Sequence, residues 1–312
     1  MSTRFMMVRT LRALLTLALV VTFVFLMLRL AGDPIKMLLP EDTPASVVEQ
    51  YRARWGMDVP IYVQYVRYVE SVLHGDFGMS FRDGRPALQV VTDRIPATLT
   101  LGFAGLVIAL IVGLPAGIAA AVMRNSIVDR SVVSFAVVGH SVPTFFFGIL
   151  LIMLFSMSLR WLPSSGSATW AHLVMPALTI GLWNAATLAR FTRASMLDVL
   201  SQAYMKTVLA NGLPSSWRLL RYALPNASIP IVTMLGLIVG QLLSGAVIVE
   251  TVFAWPGIGR LTVTAVAARE VAVVQTIVFI SALAMVMANL LVDLIYGWLD
   301  PRIGSKTGGM SR

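Results

Sequence analysis

The chain has no cysteine, only three histidines and little charge, with Asp, Glu, Lys and Arg together making up 12% of its 312 residues. A soluble domain carries roughly 25% charged residues. Without cysteine there is no disulfide framework, no thiol nucleophile and no thiolate metal site. His74, His140 and His172 stand at no metal-ligand spacing. The shortage of charge leaves too little polar surface to face water on all sides, so the apolar 57% of the chain must be buried in lipid.

Charge-free runs set the organisation. Residues 13–28, 97–123, 131–159, 173–189, 222–249 and 271–292 carry no charge. Four of these runs exceed the ~20 residues of a membrane span. The run at 13–28 is short, but Arg12 and Arg29 can snorkel from its two ends, and 173–189 is a shorter run that ends at Arg190. Every backbone group in lipid must be satisfied within its own segment, so all six are expected to be helices. The fold class is an all-α polytopic membrane protein with six transmembrane helices.

The net charge of +9 would suit a nucleic-acid partner, but its distribution reads as topology. With the N-terminus inside, inside segments carry Arg4, Arg9, Arg12, Arg124, Arg130, Arg190, Arg193, Lys206, Arg218, Arg221, Arg302, Lys306 and Arg312. The short outside loops hold Arg160, Arg260 and Arg269. This asymmetry predicts both termini inside. Arg4, Arg9 and Arg12 before an apolar run also fit a signal peptide. The stretch Arg29-Leu30-Ala31-Gly32-Asp33-Pro34 is a poor cleavage site, so the first span is expected to stay as an anchor.

The expected organisation is an anchor helix at 1–30, an outside segment at 31–95, a five-helix core at 96–299 and an inside tail at 300–312. The outside segment holds nine acids and seven bases and reads as a small helical cap. Thr43 and Pro44 can open one helix that ends near Gly56. Asp58 and Pro60 can open a second, with Ile61, Tyr65, Tyr68, Val69 and Val72 on one stripe. Gly75-Asp76-Phe77-Gly78 ends it. The inside segment 190–228 carries Met196, Val199, Leu200, Ala203 and Tyr204 at helical spacing. Gly212-Leu213-Pro214 interrupts it, and Ser215 can cap a further short helix.

Polar residues within spans are candidates for function. His140, Asn184, Gln241 and Asn289 are the candidate pathway residues. His140 has two readings, a hydrogen bond to a neighbouring helix, which is preferred, and a place on a solute path. Gly102, Gly105, Gly113, Gly117, Gly236, Gly240 and Gly245 suggest close helix packing. Pro115, Pro143, Pro176 and Pro230 are expected to kink or begin helices. Trp255-Pro256-Gly257, between Glu250 and Arg260, forms a tight turn, with Trp255 read as an interfacial anchor. The loop as a whole can also serve as a gate or a contact for a partner. Gly304-Ser305-Lys306-Thr307 lacks the order of a phosphate-binding loop, so no ATP site is expected in this chain. A membrane enzyme would need a clustered catalytic set, which the sequence lacks; the catalytic and metal residues expected are none.

Lys206-Thr207-Val208-Leu209-Ala210-Asn211-Gly212, then nine residues, then Tyr222-Ala223-Leu224-Pro225, resembles the EAA loop of ABC importer permeases. The spacing, the glycine and the Leu-Pro match; Lys, Thr and Val stand in place of the EAA letters, and Tyr222 replaces an isoleucine. Gly32-Asp33-Pro34, Val59 to Tyr65, and His74-Gly75-Asp76-Phe77-Gly78-Met79-Ser80 resemble the dipeptide, oligopeptide and nickel branch, in particular its B-type subunit. So do Arg190-Phe191-Thr192-Arg193-Ala194-Ser195-Met196, the run from Val249 to Arg260, and Asp300-Pro301-Arg302-Ile303.

The resemblance implies the type I ABC importer permease architecture in the bacterial inner membrane. It implies coupling to an ATPase through Tyr204, Lys206, Thr207, Ala210, Gly212, Leu224 and Pro225. The implied partners are a second homologous permease, two ATP-binding subunits and a periplasmic substrate-binding protein. ATP and magnesium would be bound by those partners, and this chain would hold no cofactor. A peptide, either di- or oligopeptide or glutathione-like, is the leading substrate, with nickel or another small solute as the alternative. An ion-coupled secondary transporter is the rival of another class. It would need acids within the spans, and none occurs before Asp293.

Overall fold

The computed structural model describes residues 3–30, 43–54, 58–243 and 246–299. Among these, helices dominate, and the one extended pairing is an isolated bridge between Met79 and Pro86. The order is α1 (Thr3–Leu30), α2 (Ala45–Arg54), α3 (Ile61–Leu73), α4 (Ala87–Thr92), α5 (Ile95–Val122), α6 (Ile127–Ser141) and α7 (Thr144–Leu151, continued by π-helical turns at Ile152–Ser158). Then come α8 (Ala171–Leu200), α9 (Ala203–Ala210), α10 (Ser215–Trp217, continued by π-helical turns at Arg218–Ala223), α11 (Leu224–Leu243), α12 (Val247–Val252), α13 (Ile258–Ala267) and α14 (Val271–Leu299).

Among the described residues, five stretches are long and apolar enough to cross a membrane: Met7–Leu26, Ala87–Val122, Ala171–Leu200, Ser215–Gln241 and Val271–Ala288. The α6–α7 pair supplies a sixth if it crosses as one span. That pair departs from the straight span predicted at 131–159, because it bends by 100°. The cause is local. Val142 adopts an extended conformation (φ −85, ψ 121) ahead of Pro143, as proline disfavours helical geometry in the residue before it. The span predicted to reach residue 249 also ends sooner, at Leu243, and α12 is a separate short helix. Gly32, Asp33, Pro34, Gly56, Gly245 and the tail from Asp300, with Lys306, lie outside the described residues.

The chain forms two compact units. Of the described residues, one unit comprises those within 97–260 and 287–299, the other those within 3–96 and 261–286. In the first, α8 is the central element. Its N-terminal half joins a cluster of Leu101, Leu151, Met175, Ile180, Phe253 and Trp255. Its C-terminal half joins Ala121, Leu188, Met196, Val199, Met205, Ala223 and Ile231. Glycine lets α5 approach it closely. A Cβ at Gly113 would lie 2.8 Å from the Ala185 carbonyl, one at Gly117 2.6 Å from the Ala189 carbonyl, and one at Gly181 2.6 Å from Ile108 Cβ. The predicted small-residue packing therefore holds for Gly105, Gly113 and Gly117. It does not extend to Gly240, where a Cβ would meet nothing within 4 Å.

In the second unit, α3 packs on α1, and Phe77 meets Phe279 with ring centroids 5.1 Å apart. The glycines predicted to end α3 do so, with Gly75 and Gly78 at φ +75 and +87, a region open to glycine. Glu270 is buried and holds the next turn. It accepts from the backbone N–H groups of Phe81 (3.1 Å) and Arg82 (2.6 Å) and from the Ser80 hydroxyl (3.3 Å).

Candidate functional site

The segment 201–225 follows α8 without a long loop. Gln202 is extended (φ −69, ψ 151), and α9 starts at Ala203. Its apolar residues face two ways. Met205 and Val208, one turn apart, are buried, and Met205 joins the cluster that includes Ala223, Ala227 and Ile231. The Tyr204 hydroxyl donates to the Tyr222 carbonyl at 3.4 Å, which ties α9 to the chain that returns to the membrane. Lys206, Thr207, Leu209 and Ala210 point outward.

The helix ends by a left-handed residue. The Asn211 N–H donates to the Thr207 carbonyl and the Gly212 N–H to the Leu209 carbonyl, both at 3.1 Å, and Gly212 has φ +70. This is the usual glycine stop. Pro214, and not the predicted Ser215, occupies the cap position of α10, and the Ser215 hydroxyl accepts from the Arg218 guanidinium at 2.9 Å. The π-helical turns at Arg218–Ala223 then lead into α11 ahead of Pro225, a residue that cannot donate to the Arg221 carbonyl.

Of the seven coupling candidates, Lys206, Thr207, Ala210, Gly212 and Pro225 are exposed. Tyr204 and Leu224 are half-buried against the cluster that holds Met205 and Ala223. Sequence reasoning missed three exposed apolar neighbours: Leu209 (58% exposed), Trp217 (53%) and Leu220 (63%). The Arg221 guanidinium lies 5.2 Å from the Trp217 ring centroid. A tryptophan among the arginines of a basic segment was the available signal.

A second arrangement stands at 246–260. Glu250 is fully buried, beyond the span that ends at Gln241. Its carboxylate accepts from the Thr98 hydroxyl (3.0 Å) and the Arg260 N–H (2.9 Å). Thr98 Oγ1 in turn accepts from the Ile258 N–H at 2.8 Å. Burial pushes the carboxyl's pKa up, while the hydrogen bonds from Arg260, Thr98, Gly259 and Ala246 pull it back. Gly257 is required by contact, since any Cβ there would run into the carboxylate. Trp255, expected at the interface, is buried, and its indole N–H donates to the Ala97 carbonyl at 2.9 Å. A buried indole needs such an acceptor. Trp161 and Trp170, by contrast, are exposed.

The pathway candidates do not form one cluster. His140 on α6 is exposed. It lies over Trp183 of α8, with ring centroids 5.1 Å apart, and 3.5 Å from the Thr187 hydroxyl. Asn184 is buried and donates to the Ile180 carbonyl of its own helix. Gln241 is exposed on α11, and the side chain of Asn289 lies outside the described residues. Among the described residues, no group of three His, Asp or Glu side chains is placed to hold a metal ion.

Residues 113–305 match the family described as binding-protein-dependent transport system inner membrane component. Residues 2–102 match its companion N-terminal family. The chain belongs to this family. As a binding-protein-dependent transport component it is 43% identical, over 93% of its length and 95% of theirs, to the glutathione transport system permease protein GsiC of Escherichia coli K12. The same protein of Salmonella paratyphi A is 42% identical over the same shares. Among solved structures, a chain of the inward-facing MetNI methionine ABC transporter superposes with a TM-score of 0.57 at 18% identity, covering 68% of this chain and 97% of that one. That likeness bears on the fold. The chain is thus a multi-pass transport subunit, and the rival of an ion-coupled transporter falls away.

Proposed function

We propose that this subunit forms half of a membrane pathway for peptide-like solutes, in the class of glutathione and short peptides, and that partner ATPases drive it through residues 203–225. The observation that carries the coupling is the two-sided α9. Its inner face is packed into the core, and its outer face, with Leu209, Trp217 and Leu220 beside it, presents apolar area to something outside this chain. Apolar patches of that kind mark interaction sites. The substrate class is supported by the identity to glutathione permeases.

The assembly comprises a second, homologous permease, two ATP-binding subunits and a periplasmic binding protein. ATP and magnesium sit in the ATPases. The anchor 1–30, outside segment 31–95, core 96–299 and tail 300–312 are its parts, with both termini in the cytoplasm of a bacterial cell and the chain in its inner membrane. His140, Asn184, Gln241 and Asn289 are the polar groups offered to the pathway.

One experiment tests the reading. The complex is purified with Leu209→Arg and with the parent sequence, and ATPase co-purification and uptake of labelled glutathione are measured. Loss of ATPase from an otherwise folded permease pair supports coupling here; full retention with normal uptake overturns it. Competition by unlabelled dipeptide, oligopeptide and nickel in the parent then separates the substrate classes.

A further inference from the structure

α3 has three faces where a helix merely packed on its neighbour needs two. Tyr65 and Tyr68 point toward α1, and Val72 on the same face is buried: the Tyr65 hydroxyl lies 2.7 Å from that of Thr22, and the Tyr65 and Tyr68 rings lie 5.3 and 5.6 Å from that of Phe25. Arg67, Glu70 and His74 form an exposed polar face, with the His74 ring 2.8 Å from the Glu70 carbonyl. Between these, about a third of a turn from the α1 face at 3.6 residues per turn, lies a further stripe. Tyr62, Val66 and Leu73 are 68%, 61% and 80% exposed.

The position of α3 names what covers that stripe. Thr22 and Phe25 belong to the last turns of the span Met7–Leu26, which is only 11% buried within the chain and shows Leu15, Leu19, Phe23 and Leu26 to lipid. A helix held against Thr22 and Phe25 sits at the depth where the hydrocarbon gives way to headgroups. The lipid-facing surface of α1 continues there into the neighbourhood of α3. A helix with a wide apolar arc, a charged face opposite and tyrosines between is the chemistry of one lying in that boundary.

We propose that α3 is an interfacial helix. Its Tyr62, Val66 and Leu73 stripe is seated in the lipid of the leaflet in which α1 ends, and Arg67, Glu70 and His74 face water. Lipid thereby fixes the depth of the chain that leads on to the Glu270-held turn. The inference is independent of the substrate and of the coupling segment.

The cysteine-free sequence suits single-cysteine labelling. The full transporter, with partner cysteines replaced, carries Tyr62→Cys, Val66→Cys, Leu73→Cys, Arg67→Cys or His74→Cys, each bearing a nitroxide, in vesicles of phosphatidylethanolamine and phosphatidylglycerol. Collision with oxygen reads lipid, and collision with a water-soluble nickel chelate reads solvent. The ratio of oxygen to nickel accessibility is expected to be several-fold higher at 62, 66 and 73 than at 67 and 74. Equal, nickel-dominated values at all five positions would place the stripe in water. Immobilised labels that neither reagent reaches would place it under a protein partner. Either result overturns the proposal, and glutathione uptake in the same vesicles reports separately on transport.

Discussion

The backbone N–H of Arg260 donates to the carboxylate of Glu250 at 2.9 Å, so the segment 250–260 closes on its own first residue. The Thr98 hydroxyl shares that carboxylate. Glu250→Ala therefore strands several buried donors at once, each costing about 1–3 kcal/mol when left unmade. The expected outcome is a clear fall in the thermal midpoint of the detergent-purified chain. Glu250→Gln keeps the shape but turns an amide group toward backbone N–H groups, so it should fall between. A melt of Glu250→Ala equal to the parent would mean that packing alone holds the turn.

Close approach of α5 and α8 gives a paired prediction. Gly117→Ala forces a methyl within 2.6 Å of the Ala189 carbonyl and Thr192 Cβ, and overpacking of this kind costs about 1–3 kcal/mol. Gly240→Ala adds a methyl to open space and should leave the isolated chain's thermal midpoint unchanged. Equal effects at both positions would refute the packing argument.

The membrane spans were legible because charge is expelled from lipid and its gaps are visible residue by residue. The bend before Pro143 was masked by the same signal: no charge interrupts 131–159, so two helices looked like one span. Trp255 was misread because an aromatic at a span end has the same local sequence whether it meets headgroups or a backbone carbonyl. Its acceptor, Ala97, is 158 residues away in sequence. In the candidate coupling segment the stop at Gly212 follows from spacing. The exposure of Leu209, Trp217 and Leu220 does not, because it depends on which side of α9 the core lies, and Met205 decides that through tertiary contact.

Asp129 and Arg193 join the start of α6 to α8 by two hydrogen bonds, Nε to Oδ1 at 2.5 Å and Nη2 to Oδ2 at 3.0 Å. The same carboxylate accepts the Asn125 N–H at 2.9 Å, where Asn125 is left-handed with φ +64. Bidentate pairs of this kind are geometrically demanding. Arg193→Asp and Asp129→Arg are each expected to lower the yield of folded chain, and their combination to restore more than either alone. Additive losses in the double variant would show that the two residues act separately.

Gly212 separates a cost inside the chain from a cost at a partner. Its φ of +70 strains any other residue, yet a Cβ there meets nothing within 4 Å. Within this chain Gly212→Ala and Gly212→Glu should thus cost the same backbone strain, about 1–2 kcal/mol, and Gly212→Asn less, since asparagine tolerates the left-handed region. All three should insert into the membrane and assemble with the second permease. If an ATPase surface lies against this turn, the long charged side chain of Gly212→Glu meets it and the short one of Gly212→Ala scarcely does. Substrate-stimulated ATP hydrolysis is then expected to be lost in Gly212→Glu, reduced in Gly212→Ala and nearly normal in Gly212→Asn. The measurement is ATPase rate and subunit stoichiometry for the three purified complexes. Equal rates in Gly212→Ala and Gly212→Glu would reduce the residue to a helix stop, and the coupling surface would then have to lie elsewhere.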